Sequence, residues 1–218
     1  MKKAFVPICL YCNGFFLIKE QVLKFLRYYS YYDEILFVIV DKLYGINLLI
    51  KEKVCSIEAA HKAYEKRGQD IFFLIQNCIR NFISIDKPST NFIIKKWNEL
   101  AETSDYVDLK NTIISEFKNN VVLNKHCEKF IEENLARVTN RIDVEKKCLE
   151  HEYLFSEVAM SIYLTEFCGY TDEIWEKKQA DSMEDPINLL YRNENESLNR
   201  IIGKKVGKRC QLYLSSMI

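Results

Sequence analysis

Cys9 closes a short apolar run, Ala4-Phe5-Val6-Pro7-Ile8, and far along the chain Tyr153 and Glu157 stand four residues apart. A thiol at the carboxyl end of a strand is a nucleophile placed where α/β folds hold their ligands. A phenol and a carboxylate spaced by four share one helix face, so both can act on the same small group. Nucleophile plus acid/base pair is the minimum equipment for acyl transfer. The same residues also have plainer readings: a buried thiol at Cys9, a loop thiol at Cys12, and an ordinary surface turn at Tyr153–Glu157. Cys9 and Cys12 match the spacing of a redox pair as well. Such pairs usually stand directly ahead of a helix, and here Asn13-Gly14 intervenes.

The elements that must position these groups are legible in outline. The strand at 4–9 leads through a short loop into a helix near 17–29, with Ile18, Val22, Leu26 and Tyr29 on one face. The run 34–41 is continuously apolar before Asp41, which suits a strand covered on both faces in a parallel sheet. Strand, helix, strand reads as a right-handed crossover unit that begins a doubly wound α/β fold. A long helix is expected over 56–84 and a third strand at 91–94. Helices follow at 97–101, 105–117, 124–140 and 144–164, then short strands near 172–176 and 210–214. Asp185 ahead of Pro186 reads as a further helix start. The helix carrying Tyr153 is apolar around Leu154, Phe155, Val158 and Ala159, which predicts a partly buried Glu157 with a raised pKa.

Bulk properties narrow the function classes. With 218 residues, three prolines and six glycines, no linker is visible, and 1–218 reads as one helix-rich α/β domain with a mostly parallel central sheet. No apolar run approaches the ~20 residues of a membrane span. The opening Met-Lys-Lys is basic, but the apolar stretch after it is too short for an export signal, so a cytoplasmic protein is expected. Thirty-one basic and 31 acidic residues balance, so nucleic-acid binding would need a local patch. The eight cysteines are scattered and read as free thiols. His61, His126 and His151 share no ligand spacing, and no phosphate-cradling glycine loop occurs; neither metal nor cofactor is expected.

The order of these pieces resembles the cyclodipeptide synthases. The resemblance is carried by Phe5–Cys9 with Phe15-Phe16, by Val38-Ile39-Val40-Asp41, by Ser56–Gly68, by Glu99–Tyr106, and above all by Tyr153-x-x-x-Glu157. It covers nearly the whole chain from Ala4. It implies a Rossmann-like fold akin to the catalytic domains of tyrosyl- and tryptophanyl-tRNA synthetases. It also implies an activity: two aminoacyl groups, taken from two aminoacyl-tRNAs, are joined into a cyclic dipeptide through a covalent aminoacyl-enzyme.

In that family the nucleophile is a serine at the end of the first strand. Cys9 holds that place here, with Cys12 second because the loop aligns with a one-residue ambiguity. A thiolate attacks esters well and would give a thioester. By the resemblance, Tyr153 and Glu157 hold the amino group of the acyl-enzyme, and Glu157 relays the proton from the attacking amine. Tyr106 corresponds to a tyrosine near the second substrate. Phe5, Pro7, Val38, Val40, Phe130, Arg137 and Met160 fall where the family lines its first aminoacyl pocket. Lys62, Lys66, Arg67 and Arg80 on the long helix, with Lys204 and Lys205, are the expected tRNA contacts. Besides cysteine for serine, the chain departs from the family in three further places. Cys12 replaces a frequent asparagine, Trp175 occupies the stretch of a catalytic-loop tyrosine, and Phe72-Phe73-Leu74 stands where arginines are expected. Two alternatives follow from these departures and from Cys9/Cys12: a catalytically silent tRNA- or nucleotide-binding relative, and a thiol oxidoreductase.

Overall fold

The structure, a computed structural model, describes residues 1–10, 15–139, 142–175 and 210–213. Unbroken apolar runs rich in β-branched residues make β1 (Lys3–Cys9) and β2 (Glu34–Val40) the centre of the sheet. They pair in parallel register, from Lys3 opposite Glu34 to Cys9 opposite Val40. Parallel strands β3 (Asn91–Lys96), β4 (Asp172–Trp175) and β5 (Cys210–Tyr213) complete a five-stranded sheet in the order β3-β2-β1-β4-β5. The chain winds outward from β1 to β3, then crosses back to continue on the other side of β1 at β4. The strand order therefore reverses between β1 and β4, and the carboxyl ends there are where open α/β sheets leave a ligand crevice.

Both faces are covered, which is why the central strands are apolar throughout rather than alternating with polar residues. On one face Ala4, Val6, Ile8, Ile35, Phe37 and Ile39 pack with α1 (Lys19–Tyr29) and the inner half of α3 (Ile57–Asp86). On the other, Phe5, Leu36, Val38 and Val40 join a cluster built from five helices. These are α2 (Asp41–Ile50), α4 (Trp97–Ala101), α5 (Ser104–Asn119), α6 (Val121–Val138) and α7 (Val144–Ile162). The doubly wound α/β architecture expected from the sequence is the observed one.

Local chemistry explains most boundaries. The Ser56 hydroxyl accepts from the Ala59 amide at 3.1 Å and starts α3. The Asn120 side chain accepts from the amides of Val122 and Leu123, so α6 begins before the expected 124. Asp143 caps α7 through the Lys146 amide at 3.0 Å. The helix expected to reach 164 ends as α7 at Ile162 and passes into a π-helical turn, Tyr163–Phe167.

One helix was not foreseen. Asp41 does not end a strand; it opens α2, whose buried Leu43, Ile46 and Ile50 recur at helical spacing directly behind the apolar run of β2. Asp41 itself is buried, and its carboxylate accepts from the Lys42 amide at 2.9 Å. Burial raises its pKa, which that bond and the nearby Lys96 partly offset. The approach of α3 to this carboxylate is close at Gly68, where a Cβ would stand 3.0 Å from the Asp41 Cβ and press the neighbour aside by a few tenths of an ångström. The helix start expected at Asp185-Pro186 lies outside the described residues.

Candidate active site at the carboxyl edge of the sheet

Cys9 is the last residue of β1, in register with Val40, and so lies at the carboxyl edge beside the point of strand reversal. Cys12 lies outside the described residues. Two and four residues before Cys9, Pro7 and Phe5 are both buried, Pro7 opposite Val38 and Phe5 between Leu36 and Glu173.

Helix α7 supplies the other half. Its residues Lys146, Glu150, Glu157 and Ser161 follow one another at spacings of four, seven and four, with Tyr153 beside them. They form a polar stripe down one side of the helix. Met160 on the same helix joins the cluster that contains Phe5, Val38 and Val40, and half-buried Tyr153 and Phe130 pack against it. Tyr153 thus packs on the same face of the sheet as Phe5, Val38 and Val40. Glu157 is half-buried, as the apolar neighbourhood implied. Arg137, placed with the pocket by resemblance, is exposed in the last turn of α6.

The stripe is anchored at both ends. Lys146 is buried and pairs with Glu52 and with the Thr139 hydroxyl. At the other end the Ser161 hydroxyl donates to Glu173 Oε1 on β4 at 3.4 Å, both residues being buried. Between them Glu150 is 1% exposed. The Asn134 amide donates to its Oε1, while Oε2 has no partner. Burial raises the Glu150 pKa, with Asn134 acting in the opposite direction.

Tyr106 is buried on α5. Its hydroxyl donates to the Ser156 carbonyl at 3.2 Å and its ring meets Tyr163 edge-on at a centroid distance of 6.0 Å. Burial pushes this phenol well above its ordinary range. Sequence reasoning missed Lys110, one turn further along α5. Its ammonium donates to Glu152 at 2.7 Å and to the Ser156 hydroxyl at 3.0 Å. Ser161, Glu173, Asn134 and Glu150 were missed for the same reason. Each is unremarkable locally and acquires a partner only when distant segments meet.

The basic residues of α3 sit on its outer face. Lys62, Lys66 and Arg80 are exposed and fall on one line with exposed Phe73, whereas Arg67 is half-buried to one side. Lys62 is paired with Glu58 at 2.7 Å. Lys204 and Lys205 lie outside the described residues. Of the cysteines, Cys55, Cys78, Cys127, Cys148 and Cys168 are free thiols, and burial pushes Cys127 up to about 12. Among the described residues no cluster of three metal-ligating side chains occurs, and no helix is long and apolar enough to cross a membrane.

No protein-family model and no curated protein sequence matches this chain. Solved structures do match it. A cyclodipeptide synthase from Fluoribacter dumoffii aligns with a TM-score of 0.69 at 14% identity, over 97% of this chain and 88% of that one. AlbC, a cyclodipeptide synthase from Streptomyces noursei, gives 0.63 at 13% identity over 97% and 93%. The Mycobacterium tuberculosis protein Rv2275 gives 0.66 at 11% identity over 97% and 84%. Its structure is described as demonstrating that cyclodipeptide synthetases are related to type I tRNA synthetases. At these identities the likeness establishes the fold, which is the Rossmann-like fold of the cyclodipeptide synthases over nearly the whole chain.

Proposed function

We propose that this chain is a tRNA-dependent aminoacyltransferase, an enzyme that joins the aminoacyl groups of two aminoacyl-tRNAs into a cyclic dipeptide, with Cys9 as nucleophile. One observation carries the reading: the residue ending β1 stands at the strand reversal, on a fold shared with cyclodipeptide synthases, and Tyr153 packs against the same cluster as Phe5, Val38 and Val40. The whole chain is read as one domain acting in the cytoplasm, where charged tRNAs are made.

An aminoacyl-tRNA carries an activated ester, so the chemistry needs no nucleotide cofactor. The Cys9 thiol gives up its proton as the sulfur attacks the ester carbonyl, the carbon–oxygen bond to the terminal ribose breaks, and the departing ribose oxygen takes up that proton. A thioester remains. Tyr153 and Glu157, one turn apart, hold the amino group of the bound residue, and Glu157 accepts a proton as that amine becomes a nucleophile. Only attack by the bound amine on the ester of the second aminoacyl-tRNA leaves the dipeptide on the thiol, with the second tRNA released. The new terminal amine then attacks the thioester carbonyl, the carbon–sulfur bond breaks, the amine's proton passes to the departing sulfur, and a six-membered ring leaves as the thiol is regenerated. Phe5, Pro7, Val38, Val40, Phe130 and Met160 form the apolar wall for the first side chain, with Arg137 at its rim. Tyr106 contributes by holding α7. Lys62, Lys66, Arg67 and Arg80 of α3, together with Lys204 and Lys205, make phosphate contacts to tRNA.

Incubation with a charged tRNA and intact-mass measurement tests this. The expected result is a single aminoacyl adduct that neutral hydroxylamine removes, absent in Cys9→Ala. Loss of the adduct only in Cys12→Ala moves the nucleophile to the loop. Binding without any adduct instead supports a silent relative, the reading favoured by exposed Phe73 on the outer line of α3 and by Trp175 at the end of β4. The oxidoreductase reading has less support, because α1 begins only at Lys19, seven residues after Cys12.

A further inference from the structure

Tyr106 and Lys110 lie four residues apart on α5, so both side chains leave the same face of that helix, and both end on one turn of α7. The Tyr106 hydroxyl donates to the Ser156 carbonyl at 3.2 Å. The Lys110 ammonium donates to Glu152 Oε1 at 2.7 Å and to Ser156 Oγ at 3.0 Å. The Ser156 hydroxyl donates in turn to the same Glu152 oxygen, at 3.2 Å, which closes a triangle. Residues 152–156, gripped in this way, include Tyr153, and Glu157 is the next residue.

We propose that Lys110 is a positioning residue for the acyl-transfer site, setting through Glu152 and Ser156 the rotation of α7 that aims Tyr153 and Glu157. This role rests on the function proposed above. Apolar contacts make up much of the α5–α7 interface, including Phe117 edge-on to Phe155 at 5.4 Å. Such contacts are non-directional and tolerate small rotations. A helix with its side chains has a radius of about 5–6 Å, so a turn of about 10° displaces a side-chain end by about 1 Å. A misplacement of about 1 Å costs about 100-fold in rate. Directional contacts also fasten the two ends of α7, through Lys146 with Glu52 and through Ser161 with Glu173, and the grip at 152–156 is the one that brackets Tyr153. Stability alone does not call for an ammonium here. Lys110 is 17% exposed, and an apolar side chain of equal length would pack its stem as well.

The test compares Lys110→Met, Lys110→Arg and Ser156→Ala with the wild-type protein, using two readouts. Amide hydrogen exchange across 152–157 reports the grip on α7 and does not depend on any activity. Single-turnover aminoacylation and cyclisation report the chemistry, with the half-saturating charged tRNA and the thermal midpoint measured alongside. The expected Lys110→Met protein exchanges faster across 152–157 and reacts about 10- to 100-fold slower, with half-saturation and midpoint near wild type. Lys110→Arg restores most of the rate. Ser156→Ala, a small deletion in a buried site, shifts both readouts in the same direction and covers the case in which Lys110→Met folds poorly. Unchanged exchange, or a wild-type rate in well-folded Lys110→Met, overturns the positioning role and leaves the proposed function standing. A wild-type protein that forms no adduct overturns that function, and the positioning role with it.

Discussion

The Ser161 hydroxyl on α7 donates to the carboxylate of Glu173 on β4, at 3.4 Å, in the buried seam where the helix returns to the sheet. Glu173 is the strand partner of Phe5, so this contact ties the helix carrying Tyr153 and Glu157 to the strand that ends at Cys9. Ser161→Ala removes a donor to a buried carboxylate and is expected to lower stability by about 1–3 kcal/mol. Urea unfolding followed by circular dichroism checks it: the midpoint falls while the slope is unchanged.

Glu157→Gln keeps shape and loses the proton acceptor. Acylation of Cys9 proceeds, because the thiolate attacks without help from the bound amine, whereas dipeptide formation slows by about 100- to 10,000-fold. Intact mass should show the aminoacyl-enzyme accumulating while cyclic product, measured by mass spectrometry, disappears. Turnover at the wild-type rate removes Glu157 from the mechanism.

Glu150 makes stability depend on pH in a definite direction. Burial raises its folded pKa above the ordinary glutamate value, so between the two values the folded chain binds more protons than the unfolded chain. Its contribution is fully present below the ordinary value and is lost as pH rises through the raised one. Glu150→Gln keeps an acceptor for Asn134 and removes the charge, so it should flatten this slope and raise the thermal midpoint at neutral pH. Equal slopes for both proteins across that window would show that the carboxyl stays ionised when folded.

Gly68→Ala sets two effects against each other. Alanine gains up to about 1 kcal/mol of helix propensity within α3. Its Cβ would meet the Asp41 Cβ at 3.0 Å and the carboxylate at 3.2 Å, and Asp41 is buried and held by the Lys42 amide. Buried and bonded in this way, Asp41 has little room to give, and overpacking costs about 1–3 kcal/mol. Net destabilisation is expected in thermal unfolding; a rise in midpoint would show that α2 shifts to make room.

What the sequence determined by itself is what short-range chemistry encodes. The apolar runs of β1 and β2 announce buried parallel strands, Trp97–Ala101 is the helix expected there, and Tyr153 with Glu157 share a face because four residues make about one helical turn. Helix α2 escaped because its apolar residues follow those of β2 without a break, and a continuous run hides the change of period at Asp41. Only the tertiary structure decided that β4 lies beside β1, which puts the strand reversal beside Cys9, and only packing brought Lys110 to Glu152 and Asn134 to Glu150. Those pairs are 42 and 16 residues apart, and no local pattern specifies them. Helix periodicity is fixed by backbone hydrogen bonds within a few residues, whereas the partner of a buried polar group depends on which apolar faces close against each other.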